Sequence, residues 1–276
     1  MLSFPAIKPV TCAFILLAVL VSGLGPSLSQ VEAAASPLGA VGAREPIVSR
    51  PMGAFHLRSN PAAVVRVEQL GLHLGFQPDG EDGPYKLVAY SDPGLGLAAG
   101  ALIWFESGTG SSAKREIAYT LGRFVTEHVA FGMSVKHVWS SAGNRWAGDL
   151  GLYIPVNPGL EVGVVYYDAF GATADDPGEI AASVSHVSAG GWVASVELSR
   201  PLPVSGDESL LSWAVDLPVG TRGVLRATRR GLISGDGTAE WLAALRWEFE
   251  RYGFDAGVIL PSDKAARIRL GFWFTF

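Results

Sequence analysis

The chain has 276 residues, a formal net charge of -5 and no basic arm or long run of Lys or Arg, which argues against a nucleic-acid partner, because no cluster of cations is there to neutralise phosphates. Charged residues make up 17% against a usual share of about 25%, yet no apolar run reaches the roughly 18 residues of a helical membrane span. The apolar surplus is spread in short pieces, as strands with one lipid-facing side would spread it.

Residues 1–35 read as a signal peptide: Lys8 precedes an apolar run from Cys12 to Leu24, and Ala33-Ala34-Ala35 offers a small-residue cleavage site. Cys12 is the one cysteine and lies in this segment. The mature chain is therefore expected to lack a disulfide, a thiolate nucleophile and a Cys-ligated metal. Residues 36–65 carry Pro and Gly in a pattern too irregular for a strand, and are expected to form a plug or lid at one mouth of a barrel. Within them, Ser59-Asn60-Pro61-Ala62-Ala63 resembles the Asn-Pro-Ala motif of the long-chain fatty-acid transporter (FadL-like) superfamily, which includes the PorV-like barrels. The resemblance implies a plugged barrel that passes small hydrophobic molecules, or a scaffold and shuttle role in surface secretion. Asn60, Pro61 and Ala62 are the positions that carry over.

From residue 66 to 276 the chain breaks into short alternating stretches. Strands are expected near 66–77, 84–91, 95–106, 114–125, 127–139, 145–155, 158–169, 178–188, 191–200, 208–217, 221–229, 238–250, 252–261 and 265–276, about fourteen in all. Tight turns at Asp92-Pro93-Gly94, Asn157-Pro158, Ala189-Gly190 and Pro218-Val219-Gly220 alternate with longer loops rich in Gly, Asp and Ser. That alternation is the habit of an outer-membrane β-barrel, with both termini on the periplasmic, short-turn side.

Alternation also sorts the faces. Leu70, Leu72, Leu74 and Phe76 share one face; so do Val129, Phe131, Met133 and Val135, then Leu160, Val162, Val164 and Tyr166, then Trp241, Ala243, Leu245, Trp247 and Phe249. These are expected to meet lipid. The opposite faces carry Gln69, His73, Lys136, Glu161 and a concentration of charge on the last five strands. Trp104, Trp139, Tyr153, Tyr166, Trp192 and Trp213 fall near strand ends, where aromatic girdles sit, whereas the register turns Trp273 inward.

The final stretch, Arg267 to Phe276, alternates as well, with Phe272, Phe274 and Phe276 on one face. It resembles the C-terminal assembly signal of bacterial outer-membrane barrels, which implies outer-membrane lipid and the barrel-assembly machinery as partners. An exposed soluble edge strand of this kind would template aggregation.

No H-E-x-x-H or G-x-S-x-G motif is present, and Gly108-Thr109-Gly110 lacks the strand and helix that give a dinucleotide loop its meaning. An enzyme, a metal site and a cofactor are therefore not expected. The constellation with specific content is the set of inward charges: Arg246, Glu248, Asp255, Arg267 and Arg269, joined by Arg222 and Arg226. They would meet across strands as an ion-pair ladder, acting either as salt-bridged lumen filler or as a filter for anions or a carboxylate head group. Three functions stay open at this point: a plugged hydrophobic channel with a small ligand, a general porin with a wet lumen, and a structural or secretion-associated barrel.

Overall fold

A computed structural model of the chain describes residues 47, 49, 54–78, 83–94, 98–110, 113–172, 178–202, 209–233, 239–262 and 265–276. The expected signal peptide and Cys12 lie outside the described residues, as does much of the expected plug. Two short 3-10 helices come first, η1 (Ala54–Arg58) and η2 (Pro61–Arg66). Fourteen strands follow: β1 (Gly71–Gln77), β2 (Tyr85–Asp92), β3 (Ala99–Ser107), β4 (Lys114–Thr126), β5 (Val129–Ser140), β6 (Gly143–Asn157) and β7 (Leu160–Phe170) form the first half. The second half is β8 (Gly178–Val187), β9 (Val193–Leu202), β10 (Leu210–Val219), β11 (Gly223–Leu232), β12 (Ala239–Glu248), β13 (Tyr252–Pro261) and β14 (Arg267–Thr275).

Each strand pairs with its sequence neighbours, and β1 closes on β14 from Gly71 opposite Thr275 to Phe76 opposite Leu270. Closure satisfies the backbone of every strand and leaves no open edge, which is the condition for a sheet in hydrocarbon. The expected faces hold. Phe76, Phe131, Met133, Tyr166, Trp241, Phe272, Phe274 and Phe276 are exposed on the outer wall, while His73, Lys136, Asp216, Arg226, Asp255, Arg267 and Arg269 are buried inside. Trp273 points inward as its register requires.

Three expectations change. The first strand starts at Gly71, not 66, because Arg66 ends η2 and Val67 caps it; residues 66–70 carry the chain from lumen to wall. Tyr153 is buried in the lumen against Ala62 and Ala130. It belongs to the face of Asp149 and Gly151 and not to a girdle. The lumen charges are also less concentrated on the last five strands than expected: beside Lys136 and Glu197, Glu116, Asp149, Asp168 and Glu179 are buried on β4, β6, β7 and β8.

Candidate functional site

The site begins with what the N-terminal segment rests on. Gly122, Gly132 and Gly151 stand in register across β4, β5 and β6, all facing inward. Together they form a floor without side chains, and η2 lies on it. A Cβ added at Gly132 would come 2.2 Å from the carbonyl carbon of Pro61; one at Gly151 would come 2.3 Å from Asn60 Oδ1, and one at Gly122 2.6 Å from Val64 Cγ1. The strand glycines are what let the segment come this close.

Asn60 is the N-cap of η2. Its Oδ1 accepts from the Ala62 N–H at 2.9 Å, and its Nδ2 donates to the Leu152 carbonyl at 3.1 Å. Pro61 sits at the first helical position, where its missing N–H costs nothing. The motif residues Asn60, Pro61 and Ala62 are thus all buried at the contact between segment and wall. Asn60→Ala is expected to weaken this contact by roughly 1–2 kcal/mol, the worth of a cap together with a buried bond. Faster hydrogen exchange at the Ala62 amide would register it; unchanged exchange would mean that the glycine floor alone holds the helix.

Other tethers spread round the wall. Arg58 donates from one guanidinium nitrogen to both Glu116 oxygens, at 3.0 and 3.1 Å, with its guanidinium 3.6 Å above the centre of the Phe105 ring. Tyr167 donates its hydroxyl to the Ser59 carbonyl. Further back, the Ser49 N–H donates to Ser183 Oγ at 2.6 Å, and Ser49 Oγ bonds Ser185 Oγ at 2.7 Å. These contacts run from β4 to β8, so the described part of the segment crosses the lumen.

The lumen has two chemically distinct halves. On β2 to β4, Tyr85, Leu87, Ala89, Ala99, Ala101, Ile103, Phe105 and Ala118 form one buried apolar cluster, joined by Leu57 and Val64 from the inserted segment. On β8 to β14 the wall is largely charged and polar, with a smaller apolar group of Leu242, Ala244 and Ile259 on β12 and β13. Arg226 grips Asp216 through Nε and Nη2 at 2.6 and 2.7 Å, and is 1% exposed. Arg230 reaches Glu179 at 3.9 Å, Arg267 bonds Glu240, and Arg246 pairs with Glu248 while lying 4.6 Å over the Trp273 ring. Arg246 and Asp255 are register partners, and Arg269 shares the inward face of Arg267.

Of the expected set, Arg246 pairs with Glu248 on its own strand, while Arg226 and Arg267 take Asp216 and Glu240, which lie outside that set, and Arg230, also outside it, takes Glu179. Arg222 stands apart, exposed at the short-turn mouth. There it lines a cavity of about 550 Å³ with Arg66, Gln69, His73, Arg246 and Trp273. His73 is fixed by Ser91 at 2.9 Å, as a structural lumen residue would be.

A second charged group escaped sequence reasoning. Lys136 on β5 meets Asp149 on β6 at 2.6 Å and Asp168 on β7 at 2.7 Å, all three buried. The Asp168 N–H also donates to Asp149 Oδ1 at 2.9 Å. Asp149 was findable, since it shares the face of Gly151. Asp168 has the parity of Val164 and Tyr166, which points it at lipid. A bulge between the pairs Gly148/Phe170 and Leu150/Tyr166 turns it inward, with φ of 48° at Asp168 itself.

No family model matches the chain, and no curated protein matches it in sequence. Among solved structures its fold is similar to the toluene transporter TbuX of Ralstonia pickettii, with 13% identity and a TM-score of 0.68 over 86% of this chain and 98% of that one. It is similar also to the toluene transporter TodX of Pseudomonas putida, with 12% identity and a TM-score of 0.62 over 91% and 99%. The CymD monoaromatic hydrocarbon channel gives 14%, 0.64, 86% and 97%. At these identities the likeness establishes the fold, a closed fourteen-stranded antiparallel barrel.

Proposed function

We propose that the chain is a bacterial outer-membrane channel for small hydrophobic molecules, closed by its own N-terminal segment and akin to the FadL-like superfamily. The observation that carries the reading is the apolar cluster inside the barrel. The lumen of a membrane barrel is ordinarily polar because it holds water. Here Leu87, Ala89, Ala101, Ile103 and Phe105 line it and meet Leu57 and Val64 of the inserted segment. Once Leu57 and Val64 move off it, such a stripe would offer a hydrophobic solute a path past the charged wall. The fold it shares with the hydrocarbon and toluene channels agrees with that reading, as does Asn60-Pro61-Ala62 at the contact between segment and wall.

Pairing of the lumen charges argues against a general porin. Arg226, Arg230, Arg246 and Arg267 each meet a carboxylate, so they read as filler and not as a filter for anions. In this proposal Phe272, Phe274 and Phe276, outward on the closing strand, are the residues that the barrel-assembly machinery reads.

Uptake of an apolar fluorescent probe into liposomes carrying the protein tests the channel. Ile103→Asp sets a carboxylate in the stripe and is expected to lower uptake at least about tenfold, since an unpaired charge there must be desolvated. Ile103→Ala keeps the stripe apolar and is expected to retain uptake. Equal uptake by all three barrels, each showing heat-modifiable migration, would remove the stripe from the path and the reading with it.

A further inference from the structure

On the outer wall, β10, β11 and β12 set three side chains abreast. Trp213 pairs with Arg229, and Arg229 pairs with Trp241. The two indoles lean together across β11, with ring centroids 5.4 Å apart and planes at 88°. Arg229 has the parity of the exposed Leu225 and Ala227, opposite to the buried Arg226 and Arg230, so its side chain belongs to the lipid face. It stands three residues short of Leu232, the end of β11 on the long-loop side.

What sets Arg229 apart is its company. Of the other outward cations at that rim, Lys86 and Arg115 share Glu106 at 3.7 and 3.8 Å, and Arg200, near the end of β9, has a partner too. Among the described residues Arg229 has neither an acid nor a hydrogen-bond partner, although it is half-buried. A guanidinium on a lipid face is costly unless an anion meets it. Its stem can rise along apolar surface to bring the charge to head-group depth, and paired indoles mark that depth. Just below it, Ala227 and Ala243 face each other across β11 and β12. Both are exposed and put only a methyl group on the wall beside Trp241.

We propose that Trp213, Arg229 and Trp241 bind the phosphate group of an outer-leaflet lipid, whose acyl chain lies over Ala227 and Ala243. The inference rests on the outer-membrane reading above. Phosphate suits the site because the planar guanidinium fork donates two parallel bonds to it. The indoles meanwhile exclude water from the pair.

The test uses the mature barrel in detergent micelles, with bound lipid counted by native mass spectrometry. The probes are phosphorylated lipid A, the same glycolipid after phosphatase treatment, and inorganic phosphate. The wild-type barrel is expected to hold phosphorylated lipid A roughly tenfold more tightly than the dephosphorylated form, the worth of a charge-assisted pair. Arg229→Gln should erase that preference, Arg229→Lys should recover part of it, and Arg115→Gln should leave it unchanged. Equal retention by Arg229→Gln, or no preference for phosphate in the wild type, would overturn the site. Displacement of the lipid by stoichiometric inorganic phosphate would make it an anion site and overturn the lipid assignment. An Arg229→Gln barrel that migrates heat-modifiably but keeps its lipid defeats only this inference. A wild-type chain that is soluble and folded without detergent defeats the membrane reading itself.

Discussion

Gly132→Leu is expected to turn a silent barrel into a conducting one. In a planar bilayer the wild-type protein should carry little ion current, because η2 and the tethers of the N-terminal segment cross the lumen. The substituted protein should show steady single-channel steps. The reason is steric. An added Cβ at residue 132 falls 2.2 Å from Pro61 C, 2.3 Å from Ala62 N and 2.4 Å from Pro61 O. All three are backbone atoms, so no rotamer change can relieve the contact; the segment has to leave the floor.

The strand itself has no reason to yield. Gly132 lies mid-strand in β5, between β4 and β6, and a leucine in a strand interior suits the pleat at least as well as glycine does. Overpacking typically costs about 1–3 kcal/mol, and here that cost falls on the short inserted segment before the closed sheet. Gly190→Ala is the control, since its Cβ would find nothing nearer than 3.8 Å. A barrel from which residues 36–65 are deleted should conduct like Gly132→Leu. Silence in both, with barrels that migrate heat-modifiably, would mean that side chains close the lumen, and would move the weight to a structural role.

The barrel was legible because each strand faces two solvents. Where one face is polar and the other apolar, as in Leu70 to Phe76 or Arg267 to Phe276, period two can be read directly and the register follows. Legibility fails where that contrast fails. In β3, Ala101, Ile103 and Phe105 face the lumen while Leu102 and Trp104 face outward. Both faces are apolar, so the stripe that supports the proposed channel has no alternation to betray it. The glycine floor was hidden for another reason: Gly122, Gly132 and Gly151 are each ordinary in their own strand, and their meaning appears only when three strands are laid in register under η2. Asn60-Pro61-Ala62 was the exception, because cap chemistry is local and survives in the sequence. The partners of Arg230 and Arg267 were not local, since Glu179 on β8 and Glu240 on β12 are not hairpin neighbours of β11 and β14, whereas Asp216 faces Arg226 across one hairpin. Asp168 was beyond parity altogether, because one bulge reverses the face.

Lys136→Met should be the most destabilising single substitution among the lumen charges. Lys136 is buried between two carboxylates, with Nζ 2.6 Å from Asp149 and 2.7 Å from Asp168. Methionine keeps the stem and removes the charge, leaving two acids facing each other across β6 and β7 with no cation between them. Losing one partner of a buried ion pair costs about 3–5 kcal/mol, because the charge left behind stays desolvated. The loss should appear as a lower urea midpoint for unfolding in micelles, with an unchanged slope.

The network, unlike the single pair, need not be worth much. Replacing all its members by apolar groups of similar volume is often close to neutral. The triple change Lys136→Met, Asp149→Asn, Asp168→Asn removes every charge, keeps the volumes and leaves an amide oxygen at 149 to accept the N–H of residue 168, so it should recover most of the lost stability. Asparagine suits 168 because it tolerates the φ of 48° at that bulge much as aspartate does. Recovery by the triple variant would show that the cost lies in the stranded carboxylates. A Lys136→Met barrel within about 1 kcal/mol of wild type, the scale of a solvent-screened surface pair, would mean instead that water reaches these acids. The β5–β7 side of the lumen would then be wet, and the apolar stripe on β2 to β4 would border a water-filled path.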